Sequence, residues 1–251
     1  AAARAGMRAL LRRRGLDYFA VVDQDGDHFA NELLNFVRAA QHIEHTAATE
    51  RVLILGQRTN LHRPMGWLRG ELEELVDRVL FDALHYHAAV TGRPLGLEFV
   101  TPHGEWPDVH SGYKLFTRAT AQEVFGGPVR RAGAAPTAYF RHGVEVVMTV
   151  EALLAGATPG VVMRSTFNEQ PISAFGLFNR AQLFADMVIW PCRRLRVPGR
   201  FVAQWLANHI PRLLLNTLVP QGREELRQVV ERIAAGLPGC RVGEIKSPLF
   251  V

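Results

Sequence analysis

Hydrophobic and polar positions follow two textures along this chain. Up to about residue 173, short unbroken apolar runs alternate with longer stretches whose apolar residues recur every three or four positions. The first pattern predicts strands buried on both faces, the second helices with one buried stripe. A helix is predicted over 1–14, with Met7, Leu10 and Leu11 on one face, Arg4, Arg8 and Arg12 beside it, and Gly15 as its stop. A strand over 18–22 leads into Asp23-Gln24-Asp25-Gly26-Asp27-His28, and an amphipathic helix follows over 29–43. The strand over 52–55 ends at Gly56-Gln57-Arg58. A long helix over 65–90 then places Leu68, Leu72, Leu75, Val79, Leu80 and Leu84 on one stripe. Residues 95–112 are loop-rich, 113–116 read as a strand, 118–125 and 144–155 as helices, and 160–163 as a strand. Beyond Phe175 only helical patterns remain, over 177–189, 201–215 and 223–235, punctuated by Pro191, Pro198 and Pro220. The expectation is an α/β layered domain over 1–173 and an α-helical extension over 174–251.

Composition narrows the class. With 251 residues, 48% of them hydrophobic, the chain has material for a substantial core and is not a disordered or disulfide-built protein. Lys114 and Lys246 are the only lysines among 29 cationic residues, so arginine accounts for the high isoelectric point at a net charge of only +5. Such a bias is not a nucleic-acid signature, and no nucleic-acid partner is expected; phosphates and anionic membrane faces stay open. Cys192 and Cys240 read as reduced, buried thiols of a cytoplasmic protein. The most apolar stretch, 174–190, is broken by Asn179, Arg180 and Asp186, too polar and too short for a membrane span.

The acidic run carries the chemistry. Three aspartates at alternate positions directly after a buried strand repel one another unless a cation or positive partner holds them. Ligands of α/β sheets gather at the carboxyl ends of strands, where this run is expected to lie. A calcium EF-hand is excluded: counted from Asp23, loop position 6 is His28 and position 12 is Leu34. A haloacid-dehalogenase-type phosphohydrolase would need threonine where Asp27 stands, and a later lysine followed by an acidic pair, which neither Lys114 nor Lys246 has. An Asp-x-Asp pair that holds Mg²⁺ or Mn²⁺ against a nucleotide diphosphate is the third use of such a loop.

Further motifs follow in order: Ala2-Ala3-Arg4-Ala5-Gly6-Met7 before the first strand, Gly56-Gln57-Arg58 after the second, and Asp108-Val109-His110-Ser111-Gly112-Tyr113-Lys114-Leu115-Phe116-Thr117-Arg118. Gly143-Val144-Glu145 opens the next helix, and Val161-Val162-Met163-Arg164 closes the next strand. Their order and spacing over 2–172 resemble family 2 glycosyltransferases, in particular the polyprenyl-phosphate sugar synthases of the dolichol-phosphate mannosyltransferase type. The run from Asp108 to Arg118 is the most specific part of the likeness. That resemblance implies a GT-A-like, Rossmann-type, mostly parallel sheet flanked by helices. It implies a metal site at Asp23, Asp25 and Asp27 for Mg²⁺ or Mn²⁺, and inverting transfer from a nucleotide-sugar donor. The acceptor is a polyprenyl phosphate, or a glycan hydroxyl whose proton goes to Asp108 or Glu145. Arg58, Ser111, Gly112, Lys114, Arg118 and Arg164 become candidates for binding substrate and phosphate. The family's opening strands have no counterpart here, so the chain is expected to be an N-terminally incomplete domain; a non-catalytic scaffold is the alternative.

Two other clusters were weighed. His85 and His87 stand two apart on a helix and so face apart, unlike a zinc pair. Arg193, Arg194, Arg196 and Arg200 flank Trp190 and Val197, a pattern that suits peripheral contact with the inner membrane face.

Overall fold

A computed structural model describes residues 2–23, 28–58, 62–100, 107–165, 179–215 and 219–245. The chain divides into two compact units: Ala1–Thr59 with Leu95–Arg130 and Glu145–Ile172, and Asn60–Pro94 with Arg131–Val144 and Ser173–Val251. A crossing near Ser173 is therefore one of several, and the long helix expected at 65–90 belongs with the C-terminal helices.

The first unit is α/β. Its helix α1 (Ala2–Leu11) is followed by β1 (Tyr18–Val21), α2 (Leu33–Thr46) and β2 (Val52–Arg58). After α3 (His62–Thr91), which lies in the second unit, come β3 (Lys114–Thr117) and α4 (Arg118–Ala121), the latter widening into a π-helical turn over Gln122–Gly126. α5 (Val144–Leu154) and β4 (Thr158–Arg164) complete the order.

The four strands form one sheet in the order β1-β3-β2-β4. β3 is antiparallel to both neighbours, with Val21 and Leu55 each opposite Lys114, while β2 and β4 run parallel from Val52–Thr158 to Arg58–Arg164. The sheet is thus mixed, which corrects the expectation of a mostly parallel one. A parallel neighbour requires a crossover that returns the chain to the opposite edge. The helix between β2 and β3 belongs to the other unit, and the chain re-enters the sheet at the edge where β2 ended, with Gly56 N–H donating to Tyr113 O at 2.9 Å. β1, β2 and β4 nevertheless point the same way, so their carboxyl ends share one edge with the start of β3.

α2 covers this sheet through Phe36, Ala40 and Ile43, packed on Val52, Ile54, Tyr113 and Leu115. A side chain at Gly160 would overlap Ile43, which shows how closely α2 approaches β4. Burying such side chains supplies about 1.5–3 kcal/mol each.

The second unit is helical: α3, then α6 (Arg180–Arg194), α7 (Gly199–His209) and α8 (Gly222–Gly236). Asn179 caps α6, its Oδ1 accepting from Gln182 N–H at 3.0 Å, as a polar residue at that position should. Leu72, Leu75, Val79, Leu80 and Leu84 of α3 are buried as the stripe predicted. The same helix also buries Glu71, Glu73 and Asp77, which periodicity did not reveal; Glu71 accepts from Leu214 N–H at 2.6 Å, and Asp82 meets His209 at 2.6 Å. Cys192 and Cys240 are buried and unbridged, and burial pushes both thiols up. Among the described residues no helix is long and apolar enough to cross a membrane.

Candidate functional site

The shared edge gathers most of the sequence candidates. Asp23 sits two residues beyond β1, exposed, with its carboxylate against Gly112: a Cβ at Gly112 would overlap it. Two motifs 89 residues apart in sequence (Asp23 to Gly112) therefore meet because β1 and β3 pair at Val21–Lys114. Asp25 and Asp27 lie outside the described residues, as does Lys246.

Below Asp23 the edge is charged and closed. Arg58 and Asp108 are both buried and make a two-point ion pair: Arg58 Nε donates to Asp108 Oδ2 and Nη2 to Oδ1, the latter at 2.6 Å. The Asp108 amide donates to Gln57 Oε1 at 2.7 Å. Burial alone would raise the Asp108 carboxyl, but Arg58, with Lys114 and His110 behind it, holds it below the usual carboxylate range. Asp108 and the Arg58 guanidinium, both candidates from the sequence, are thus engaged with each other.

Lys114 and Arg164 are also buried. Lys114 Nζ donates to Ser111 O, while Arg164 Nε donates to Ser111 Oγ at 3.2 Å and Nη1 to Ser165 O at 3.2 Å. Arg164 reaches across the end of β2 because Gly56 leaves room; a Cβ there would stand 3.0 Å from Arg164 Cδ and 2.9 Å from Phe36 Cζ. Glu32 Oε1 accepts from Ser165 N–H at 2.9 Å, which fixes the entry to α2 beside the exit of β4.

Glu145, in the first turn of α5, is partly buried, and its carboxyl is pushed up to about 7. Burial is the main cause and the Asp23 charge adds to it, against the opposing pull of Lys114, its own backbone N–H and His110. A carboxyl tuned near neutrality can hold or release a proton in the working range.

Arg118 stands elsewhere. It follows β3 at the opposite edge, where its Nε donates to Leu16 O at 2.7 Å, Nη1 to Leu11 O at 3.2 Å and Nη2 to Arg13 O at 2.7 Å. Its guanidinium also lies 5.1 Å from the Phe19 ring. It closes the carbonyl end of α1, apart from the other candidates, because β3 is only four residues long and runs away from the Asp23 edge.

Sequence reasoning passed over two residues here. Tyr113 is buried and stacked between Phe36 at 4.2 Å and His28 at 5.2 Å, and His110 is buried between Asp108 and Ser111. Their one signal was position inside the most specific motif, where His110 and Tyr113 read as spacers.

The other clusters resolve simply. Among the described residues no group of three or more histidines, cysteines or acids is gathered to hold a metal; His85 lies beside Phe81, and His87 Nδ1 is 3.4 Å from Leu195 O. Trp190 and Val197 are buried. Arg193 donates to Gly133 O at 3.3 Å and Gly236 O at 2.6 Å and helps line a cavity of about 300 Å³ with Gln182, Asp186 and Arg232.

Comparison with family models, with curated proteins and with solved structures found no match.

Proposed function

We propose that this chain is a metal-dependent, GT-A-type glycosyltransferase domain that takes a sugar from a nucleotide-diphospho-sugar to a polyprenyl-phosphate or glycan acceptor with inversion. The observation that carries the reading is the meeting of Asp23 with Gly112 at the edge where Lys114 and Arg164 are buried. The first motif offers hard oxygen donors and the second fixed positive charge, which together suit a diphosphate.

Asp23, with Asp25 and Asp27, would hold Mg²⁺ or Mn²⁺; the all-oxygen donor set fits a hard cation, and Gly112 leaves the Asp23 carboxylate room. Bound there, the ion would neutralise charge on the donor diphosphate. The remaining work falls to the chain. Lys114 and Arg164 are held by Ser111 and stabilise negative charge without reorganising. With Asp108 locked on Arg58, Glu145 is the group to take the proton of a hydroxyl acceptor, whereas an acceptor phosphate is already anionic and needs none.

Titration of UDP- and GDP-sugars into the full chain, with and without Mn²⁺, tests this. The expected result is Mn²⁺-dependent binding that is lost in Asp25→Asn. Silence with every donor would overturn the transferase reading in favour of a non-catalytic scaffold.

A further inference from the structure

Several arginines of the described residues are answered by acids. In the helical unit Arg69 pairs with Glu73 at 2.8 Å, Arg180 with Glu225 at 3.1 Å, and Arg227 with Glu224 at 2.6 Å and with Glu231. In the sheet unit Arg130 pairs with Glu151 at 3.2 Å. The segment around α1 instead concentrates arginines with no acid among them. Residues 2–16 hold five arginines and no acid. Arg4 is spent on the scaffold, donating to Val124 O at 2.9 Å and to Gly127 O, and Met7 is buried beneath the helix. Arg8, Arg12, Arg13 and Arg14 are all exposed. Among the described elements that pack most closely on α1, β1 and 118–126, the one acid is Glu123, and it faces Arg51 at 4.0 Å. Asp17, exposed, is the next acid along the chain.

The backbone that carries three of these arginines is also held in place. Arg118 clasps the carbonyls of Leu11, Arg13 and Leu16, so the turn that carries Arg12, Arg13 and Arg14 is fastened to the sheet rather than left as a tail. A group of guanidinium forks on a fastened backbone, with no acid against it among the described residues, is suited to phosphate groups presented on a surface, because each fork can make paired hydrogen bonds with phosphate oxygens.

We propose that the exposed arginines of α1 and its C-terminal turn form a docking site for the anionic phosphate headgroups of a lipid bilayer. A membrane fits better than a nucleic acid on two grounds. Residues 2–17 contain no aromatic ring on which a base would stack. The exposed face between the arginines is alkyl, made of Ala2, Ala5, Ala9 and Leu10, the last 37% exposed. The site is independent of the donor edge, because α1 is pinned at the opposite end of β1 and β3.

Co-sedimentation of the full chain with vesicles provides the test, using phosphatidylcholine alone and an equal mixture with phosphatidylglycerol. Binding is expected to the mixed vesicles only, and to weaken in high salt. Each arginine near such a surface contributes about a fivefold gain in partitioning. The variant with Arg8→Gln, Arg12→Gln, Arg13→Gln and Arg14→Gln is therefore expected to lose binding by about 600-fold. A control with the same charge removed from exposed positions elsewhere, Arg38→Gln, Arg93→Gln, Arg212→Gln and Arg241→Gln, is expected to keep most of it; thermal melts confirm that both variants fold. Equal losses in the two variants, no binding to the mixed vesicles, or displacement from them by short duplex DNA at equal phosphate would each overturn the proposal.

Discussion

Arg164 and Arg118 are both arginines at the end of a strand in the same sheet, yet the two edges they occupy use them differently. At the carboxyl edge Arg164 is buried with Lys114, Asp108 and Arg58 around a Ser111 hub, and Asp23 stands exposed above them. At the opposite edge Arg118 is turned onto three backbone carbonyls, Thr117 Oγ1 donates to Glu50 O at 2.8 Å and accepts from Val52 N–H at 3.0 Å, and Tyr18 donates to Glu44 at 2.5 Å. Charge at the first edge is concentrated and partly desolvated; at the second it closes loops and helix ends. One four-residue strand connects the two, so a single sequence motif contributes a site residue, Lys114, and a scaffold residue, Arg118.

The contrast can be broken most forcefully at Asp108. Asp108→Ala leaves Arg58 buried without its carboxylate and is expected to destabilise the fold by about 3–5 kcal/mol, measured by urea denaturation. Glu145→Gln works in the other direction. Because the folded carboxyl titrates near 7 rather than at its ordinary 4.5, its contribution to stability is complete below about pH 4.5 and is lost as pH rises through 7. The variant should gain about 1–2 kcal/mol over the wild type at pH 8, with the difference vanishing towards pH 4.5 in melts across that range; a gain independent of pH would contradict the assignment. Arg118→Gln should cost about 1 kcal/mol by freeing the end of α1, while nucleotide-sugar affinity stays unchanged in titration. The smallest effect is expected from Tyr18→Phe, about 0.5–1 kcal/mol, through loss of the hydrogen bond to Glu44. Its phenol, raised to about 12 by burial and the Glu44 carboxylate, should also titrate late in an absorbance scan of the wild type.

Strand positions were legible because each is a short, largely apolar run: 18–22, 52–55, 113–116 and 160–163 each mark a real strand to within a few residues. Strand direction was not, since a strand buried on both faces looks alike whichever way it runs. β2 outruns its apolar core because Gly56, Gln57 and Arg58 still pair with Val162, Met163 and Arg164, an effect of the partner strand and not of local hydrophobicity. At the site, the motifs named Asp23, Glu145, Ser111, Gly112, Lys114 and Arg164. Spacing could not show that Asp108 and Arg58 would neutralise each other, because that pairing depends on how β2 and the 107–113 loop meet. Burial was no more legible at Trp190, whose bulk stands among arginines in sequence but which packs against Tyr139 with ring centroids 5.6 Å apart.

Two aspartates flank β1, Asp17 before it and Asp23 after it, both exposed and on opposite edges of the sheet. Calorimetric titration of UDP- and GDP-sugars with Mn²⁺ into Asp23→Asn and Asp17→Asn compares those edges directly, with little change in fold expected from either substitution. The account predicts that Asp23→Asn loses Mn²⁺-dependent binding while Asp17→Asn binds as the wild type does. Undiminished binding by Asp23→Asn, or an equal loss in both, would contradict it.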